Sequence, residues 1–136
     1  MKIIVICTGN TCRSQIAEGL LRAKLPDHEI YSAGTKPEEK VNPYAVKAMA
    51  EEGYDITTQY PKLVNEFIDE PFDYVLTVCD SANELCPVFP NGKNRIHKAF
   101  VDPSRSSYDS EEHALKVYRS TVKEISAWID SLIFTD

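Results

Sequence analysis

The sequence predicts an α/β fold, a three-layer sandwich in which a central sheet of four parallel strands is flanked by helices. Short apolar runs of strand length alternate along the chain with longer segments whose apolar residues recur at helical spacing. Such alternation is typical of a parallel sheet that is covered on both faces. The 136 residues are enough for one domain with a substantial core, over residues 1–136, and too few for two domains.

Four apolar runs are predicted to be strands, at residues 3–6, 30–32, 74–78 and 96–100. Helical patterns cover residues 14–23, 43–52, 62–67 and 111–132. The second helix has clear end signals: Asn42 is a good N-cap, Pro43 suits the first helical position, and Gly53 suits the C-terminal end. The last helix carries one apolar stripe, so Trp128 is expected in the core rather than at a ligand site.

Composition and charge narrow the class of protein. A hydrophobic content of 43% and a charged content of 26% are ordinary for a globular protein. The net charge of −6 argues against non-specific binding to nucleic acid. No apolar stretch approaches the roughly 20 residues of a membrane span, and the N-terminal apolar run is too short for a signal peptide. We therefore expect a cytoplasmic protein, without a membrane partner, that is a monomer.

The most informative segment lies between the first predicted strand and the first predicted helix, and reads Cys7-Thr8-Gly9-Asn10-Thr11-Cys12-Arg13-Ser14. A loop at such a junction directs backbone N–H groups and the positive end of a helix at one point, which suits an anion. The Cys7 thiol is expected to lose its proton easily in that field. Arg13 adds a planar, positively charged guanidinium group, which is suited to binding a tetrahedral oxyanion. The segment therefore predicts a nucleophilic thiolate that faces a phosphate-like ligand.

The other residues of this loop are given supporting roles. Ser14 is expected to donate a hydrogen bond to the Cys7 thiolate, to cap the helix, or both. Gly9 and Asn10 suit the unusual backbone angles of a tight anion-binding loop, and Asn10 is expected to tie the loop to its neighbours. Cys12 is expected to point away from the ligand and pack. The predicted ligand-binding residues are Thr8, Gly9, Asn10, Thr11, Cys12, Arg13 and Ser14.

The four cysteines allow several interpretations. An even number would fit a disulfide framework in a secreted protein, but nothing in the sequence indicates secretion, so reduced thiols are the better expectation. Zinc sites favour cysteine pairs separated by two to four residues. Cys7 and Cys12 have four residues between them, at the limit of that range, and Cys79 and Cys86 have six, so the two pairs together are a poor match to zinc. No bound metal is predicted from these spacings.

A Cys-x5-Arg-Ser loop between the first strand and first helix resembles the signature of the low-molecular-weight tyrosine phosphatase fold family. This family includes phosphatases and thioredoxin-coupled arsenate reductases, and the block from Cys7 to Gly19 is similar to the reductase form. Further matching segments occur in the expected order: Tyr31-Ser32-Ala33-Gly34, Asn42-Pro43-Tyr44-Ala45-Val46-Lys47-Ala48-Met49 and Val101-Asp102-Pro103. The resemblance covers essentially the whole chain.

The resemblance implies that Asp102 is a general acid, with Pro103 fixing the backbone beside it. An ordinary Asp-Pro turn is the alternative. The phosphatases usually follow this pair with an aromatic residue that stacks on a phenyl substrate, whereas Ser104 and Arg105 follow here. This departure weakens a phosphotyrosine phosphatase interpretation.

The resemblance also implies a relay of three cysteines, in which Cys7 attacks arsenate, Cys79 attacks Cys7, and Cys86 attacks Cys79. Thioredoxin would be the electron donor, with no bound cofactor. If the segment between Cys79 and Cys86 is helical, positions seven apart are separated by roughly 10 Å, whereas a disulfide needs Cα atoms within about 7 Å. We therefore expect oxidation to unwind this segment. Two unrelated structural cysteines are the alternative.

Some reductases of this family bind potassium beside the loop, and the resemblance places Asn10, Glu18 and Ser32 at such a site. The carboxylate expected after Gln59 is missing, and we hypothesise that Lys62 replaces the cation. The three histidines are scattered and receive no catalytic role.

Arsenate reduction is the leading interpretation of the sequence. A tyrosine or small-molecule phosphatase with a Cys7 phosphoenzyme is the second, and a non-catalytic anion-binding or redox-sensing protein is the third.

Overall fold

A computed structural model describes residues 1–80, 89–105 and 107–135 of the chain. Within these residues, strands and α-helices occur in the order β1 (Lys2–Cys7), α1 (Arg13–Lys24), β2 (Glu29–Gly34), α2 (Pro43–Glu51), β3 (Phe72–Thr77), β4 (Gly92–His97) and α3 (Glu111–Ser131). Two single turns of 3-10 helix lie at Val64–Glu66 and Pro103–Arg105. No helix of this part of the chain is long and apolar enough to cross a membrane.

The strands form one parallel sheet in the order β2-β1-β3-β4. The chain leaves β1 toward one edge, to form β2, and then returns to the other side of β1 to form β3. The carboxyl ends of β1 and β3 therefore flank the point where the strand order reverses, which is the usual ligand site of such sheets. The loop that begins at Cys7 emerges from the end of β1 at this point.

Alternate residues of β1 are buried on opposite faces of the sheet. Ile3 and Val5 join the larger core cluster, to which all three α-helices contribute, whereas Ile4 and Ile6 face a smaller cluster. That smaller cluster includes Val64 of the first 3-10 turn, together with Phe72 and Phe89. Since both faces are covered, every residue of β1 after Lys2 is buried, as its continuous apolar sequence indicates. The predicted α/β fold with a four-stranded parallel sheet is confirmed.

The predicted helices agree closely with the observed ones, apart from the segment at residues 62–67, which forms only the short 3-10 turn at Val64–Glu66. The fourth strand was placed wrongly, at 96–100 instead of Gly92–His97. The reason is that β4 is an edge strand with largely exposed side chains, so its sequence is polar. The apolar signal comes instead from Phe100, which lies beyond the strand in the core and packs on Trp128.

The ends of α2 form as predicted. The Asn42 side chain accepts a hydrogen bond from the backbone N–H of Tyr44, and Pro43 is the first helical residue. Gly53 follows the helix with φ of +90°, a conformation that costs little only for glycine. Its N–H donates to the Ala50 carbonyl, so it closes the last turn.

Gly34 allows the end of β2 to approach the loop after β1. A Cβ atom at this position would lie 2.3 Å from the carbonyl oxygen of Thr8 and 3.1 Å from the Asn10 Cβ. The Gly34 N–H also donates to the Lys62 carbonyl at 2.8 Å. The backbone on both sides of Gly34 is therefore fixed, and an added methyl group has no free space.

Replacing Gly34 with alanine is expected to destabilise the protein by about 1–3 kcal/mol, because the methyl group overpacks against backbone atoms. Urea unfolding monitored by circular dichroism measures the loss. Gly53→Asn is the matched control, because nothing lies within 4 Å of its Cβ position and asparagine tolerates positive φ. Equal losses in the two variants would contradict the packing explanation.

Candidate active site

The loop between β1 and α1 turns its carbonyl groups away from Cys7. The carbonyl oxygens of Thr8, Gly9 and Thr11 accept hydrogen bonds from the N–H groups of Lys36, Glu38 and Asn42. The Asn10 carbonyl accepts one from the Gln15 side chain at 2.9 Å. Because the peptide bonds are trans, the N–H of each peptide points opposite to its C=O. The N–H groups of residues 9–12 therefore face the inside of the loop, where they suit an oxyanion.

Asn10 fixes the shape of this loop. Its φ of +53° places it in the left-handed region, which asparagine tolerates better than most residues. Its side-chain amide donates to Ser14 Oγ at 2.7 Å and to Ser32 Oγ at 3.0 Å. Its side-chain oxygen accepts from the Lys62 N–H at 2.9 Å. The predicted roles of Asn10, an unusual backbone angle and ties to neighbouring segments, both correspond to its observed geometry.

Gly9 differs from its prediction, because its φ is not positive. A glycine is useful there for another reason. A Cβ atom at Gly9 would lie 3.0 Å from a carboxylate oxygen of Glu38, the same oxygen that accepts a hydrogen bond from the Thr11 hydroxyl. The missing side chain lets the segment after β2 lie close against the loop.

The Cys7 thiol lies beneath the loop and is only 2% exposed. Its Sγ is 2.8 Å from Ser14 Oγ, on the first turn of α1. Burial raises the pKa of the Cys7 thiol above its ordinary value, and this effect is larger than the opposing ones. The Ser14 hydroxyl, the Arg13 charge and the backbone N–H groups of Ser14 and Asn10 all lower that pKa.

The expectation of a readily ionised thiol at Cys7 is therefore not supported, because burial outweighs the groups that favour the thiolate. The sequence revealed the donors around Cys7, but it gave no measure of how completely the thiol is removed from water. The arrangement still stabilises a thiolate wherever one forms, because each surrounding polar group favours the charged form. The thiol of Cys12 is also buried, in the main core, and its pKa is raised further, first by burial and then by the nearby Asp102.

Arg13 joins the loop to two other segments of the chain. Its guanidinium is 2% exposed and donates from Nη1 to the carbonyl oxygens of Phe100, at 3.1 Å, and Val78, at 3.5 Å. Its Nη2 lies 3.5 Å from Oδ2 of Asp102. These contacts fix the plane of the guanidinium beside the loop, and its permanent positive charge suits an oxyanion.

Asp102 is brought to the same site from the segment after β4. Its Oδ2 faces Arg13, while its Oδ1 accepts hydrogen bonds from the N–H of Ser104 at 3.0 Å and from the Ser104 hydroxyl at 2.7 Å. Pro103 is buried next to it. The structure therefore brings together Cys7, Arg13 and Asp102, the three residues that were predicted to act on the substrate.

Cys79 is fully buried just beyond the end of β3, the neighbour of β1 in the sheet. The Val78 N–H donates to the Ile6 carbonyl at 3.0 Å, which keeps the two chain segments paired beyond Thr77. Because paired strands lie about 4.8 Å apart, Cys79 and Cys7 lie in adjacent segments of one core cluster. Cys86 and the segment expected to unwind lie outside the described residues.

A chain of buried polar groups lies behind the loop. Glu18 Oε1 accepts a hydrogen bond from the Ser32 hydroxyl at 2.6 Å and lies 3.7 Å from the Lys62 ammonium. Its Oε2 pairs with Arg22 at 2.8 Å. Burial lowers the pKa of Lys62, and the charge of Glu18 opposes that effect. The Lys62 ammonium thus lies beside the Glu18 oxygen that also accepts from Ser32, and Glu18 and Ser32 are two of the three residues that were assigned to a potassium site.

Two glutamines in the wall of the site were not predicted. Gln15 is fully buried and its amide donates to the carbonyls of Asn10 and Tyr60. The side-chain N–H of Gln59 donates to the side-chain oxygen of Gln15 at 2.8 Å. The signal available in the sequence was the polar residue Gln15 directly after Ser14, in the first turn of α1. Within the described ranges, no group of three or more His, Cys, Asp or Glu side chains could hold a metal ion.

Replacing Ser14 with alanine is expected to raise the pKa of Cys7 further and to slow its alkylation at neutral pH by about tenfold, because a hydrogen bond to a charged group contributes roughly 1.5 kcal/mol. The rate of iodoacetamide labelling at Cys7, followed by peptide mass spectrometry across pH, provides the measurement. The pH at which the labelling rate of Cys7 rises should be higher in Ser14→Ala than in the wild type. Ser126→Ala, in the second half of α3, serves as the control, and an unchanged profile in Ser14→Ala would count against the assigned hydrogen bond.

The chain is similar to arsenate reductases both in sequence and in three-dimensional structure. An arsenate reductase from Halalkalibacterium halodurans is 39% identical over 134 residues, which is 98% of this chain and 95% of that protein. A solved arsenate reductase in its phosphate-binding state superimposes with a TM-score of 0.77 at 26% identity, covering 96% of this chain and 95% of the other. The thioredoxin-dependent arsenate reductase of Corynebacterium glutamicum has a TM-score of 0.62 at 25% identity, covering 95% of this chain and 61% of the other.

The family profile described as low molecular weight phosphotyrosine protein phosphatase matches residues 2–132. That range includes the whole sheet, the loop after β1, Asp102 and all of α3. The match agrees with the geometry, in which a buried cysteine and a buried arginine lie at the two ends of the loop and an aspartate pairs with the arginine. The chain belongs to the low molecular weight phosphotyrosine protein phosphatase family.

Proposed function

We propose that this protein reduces arsenate to arsenite and serves arsenic detoxification. The observation that carries the proposal is the buried thiol of Cys79, just beyond the strand that pairs with the one ending in the nucleophile Cys7. A phosphatase needs only one cysteine, whereas reduction of arsenate needs two electrons from a pair of thiols. The similarity to arsenate reductases along nearly the whole chain supports this choice.

In the first step, the Cys7 thiolate attacks the arsenic atom and a hydroxyl group leaves. The inward N–H groups of the loop and the Arg13 guanidinium hold the remaining oxygens, where negative charge develops. Asp102 donates a proton to the leaving hydroxyl group, which departs as water. The product is arsenate joined to Cys7 through a sulfur–arsenic bond, with arsenic still in the pentavalent state.

In the second step, the Cys79 thiolate attacks Sγ of Cys7. The sulfur–arsenic bond breaks and its electron pair stays on arsenic, which becomes trivalent and leaves as arsenite. The two thiols are oxidised to a Cys7–Cys79 disulfide, so two electrons pass from sulfur to arsenic. The pairing of the segment before Cys79 with β1 supports this step, because adjacent strand spacing is compatible with a disulfide.

In the third step, the Cys86 thiolate attacks Cys79 and releases Cys7 as a thiolate, leaving a Cys79–Cys86 disulfide. A thioredoxin or a thioredoxin-like dithiol protein then reduces that disulfide by exchange. The thioredoxin dependence of the Corynebacterium glutamicum relative supports this choice of donor. The relay uses no bound metal or organic cofactor, and we propose that it operates in the reducing cytoplasm in a monomeric protein.

Weak phosphatase activity is proposed as a side reaction, because phosphate and arsenate share shape and charge. Ser104 and Arg105 occupy the positions at which an aromatic residue would stack on a phenyl substrate. Ser104 instead donates two hydrogen bonds to Asp102. Aryl phosphates would therefore bind through their phosphate group, with little contribution from the ring.

Replacing Cys86 with serine is expected to stop repeated turnover, because the Cys7–Cys79 disulfide is no longer passed on. The measurement is arsenate-dependent NADPH consumption in the presence of thioredoxin and thioredoxin reductase. Hydrolysis of an aryl phosphate, which needs only Cys7, should be equal in the variant and the wild type and serves as the internal control. Absence of NADPH consumption by the wild type, with hydrolysis by both proteins, would make the protein a phosphatase.

Lys62 is proposed to act as a built-in cation, so wild-type turnover should respond equally to potassium and sodium. Lys62→Met leaves one oxygen of Glu18 without its cation and is expected to reduce stability by about 2 kcal/mol in sodium. Potassium should restore part of this loss. Urea unfolding in matched potassium and sodium buffers measures it, with the exposed Lys36→Met as control, and strong potassium stimulation of the wild type would overturn the proposal.

A further inference from the structure

Tyr108 lies in the irregular segment between the second 3-10 turn and α3. Its hydroxyl donates a hydrogen bond to the carbonyl oxygen of Pro103, the residue after Asp102. Its ring meets the His113 ring edge-on, with centroids 5.4 Å apart, and lies 6.3 Å from the Tyr118 ring. Tyr108 therefore links the backbone next to Asp102 to two side chains of α3.

The contacts of Tyr118 extend this link to the anion-binding loop. Tyr118 is buried, packs on Tyr44 of α2 with ring centroids 5.5 Å apart, and interacts through its hydroxyl with the Asn42 side chain. The Asn42 N–H donates to the carbonyl of Thr11 at 2.8 Å. A continuous row of contacts thus runs from the segment of Asp102, across α3 and α2, to the loop above Cys7.

The Asp102 carboxylate is bonded by Ser104 and paired with Arg13, and contacts on either side of Asp102 set where its backbone lies. Upstream, Phe100 is anchored by its N–H on the Val78 carbonyl and by the ring of Trp128. The Val101 side chain is 73% exposed, so its burial does not fix the position of the backbone before Asp102. Downstream, Pro103 is buried and its carbonyl is held by Tyr108. The hydroxyl of Tyr108 therefore constrains the backbone downstream of Asp102, in addition to the hydrogen bonds from Ser104.

We propose that Tyr108 is a positioning residue that holds Asp102 at the distance from Cys7 and Arg13 at which it can protonate the leaving oxygen. This inference rests on the general-acid role of Asp102 proposed above. The contacts that place Tyr108 are with Pro103, His113 and Tyr118, on the Asp102 side of the site. Loss of the hydroxyl should therefore slow the chemical step and leave the affinity for the oxyanion unchanged.

The test is the rate of arsenite formation in a single turnover, with enzyme in excess, for wild type, Tyr108→Phe, Asp102→Asn and the double variant. General acid catalysis contributes at least about 100-fold, so Asp102→Asn should lose about that factor. Tyr108→Phe should lose about tenfold at saturation, with the half-saturating concentration within twofold of wild type. Tyr31→Phe, which removes a hydroxyl that donates to Glu29 near the start of β2, is the matched control.

The double variant decides the question. If Tyr108 acts through Asp102, the double variant should be no slower than Asp102→Asn alone, because the positioned group is already absent. A further tenfold loss in the double variant, an unchanged rate in Tyr108→Phe, or an altered half-saturating concentration would overturn the inference. A full rate in Asp102→Asn would instead refute the general-acid role. Urea unfolding of each variant confirms that a folded protein is being compared.

Discussion

The site depends on the hydrogen bonds and the ion pair that the buried guanidinium of Arg13 makes. It joins the start of α1 to the carbonyls of Val78 and Phe100 and to the Asp102 carboxylate, so one side chain holds three segments together. Burying a charge is costly unless it is paired and hydrogen-bonded. Here the cost is offset by carbonyl and carboxylate partners. The same contacts leave the guanidinium rigid before any ligand arrives, which favours electrostatic stabilisation of a transition state.

The surroundings of Cys7 contain two opposing effects. Burial raises the pKa of the thiol, whereas Ser14, Arg13 and the backbone N–H groups stabilise the thiolate. Those same N–H groups and Arg13 are the ones that would hold the oxygens of a bound anion. A loop with its carbonyls turned outward and bonded to the segment after β2 therefore suits both the proposed nucleophile and an anionic substrate. Its shape depends on Asn10 and Gly34, which are far apart in sequence but adjacent in space.

The parts of this fold that could be predicted are those coded by local signals. The strand, loop and helix around Cys7 are contiguous in sequence, and the ends of α2 are marked by Asn42 and Gly53, so both were predicted correctly. The strand β4 was misplaced because an edge strand lacks the apolar pattern of a buried one. The deep burial of Cys7 and the contact of Tyr108 with Pro103 depend on packing between distant segments, for which the sequence has no local signal.

We propose that Cys7 and Cys79, on neighbouring segments, exchange electrons directly with arsenic. The most direct test is to map disulfides in Cys86→Ser after one turnover with arsenate, using non-reducing peptide mass spectrometry. One equivalent of arsenite and a single disulfide between Cys7 and Cys79 are expected. Arsenite formed without that disulfide, or a disulfide between Cys7 and Cys12, would contradict it.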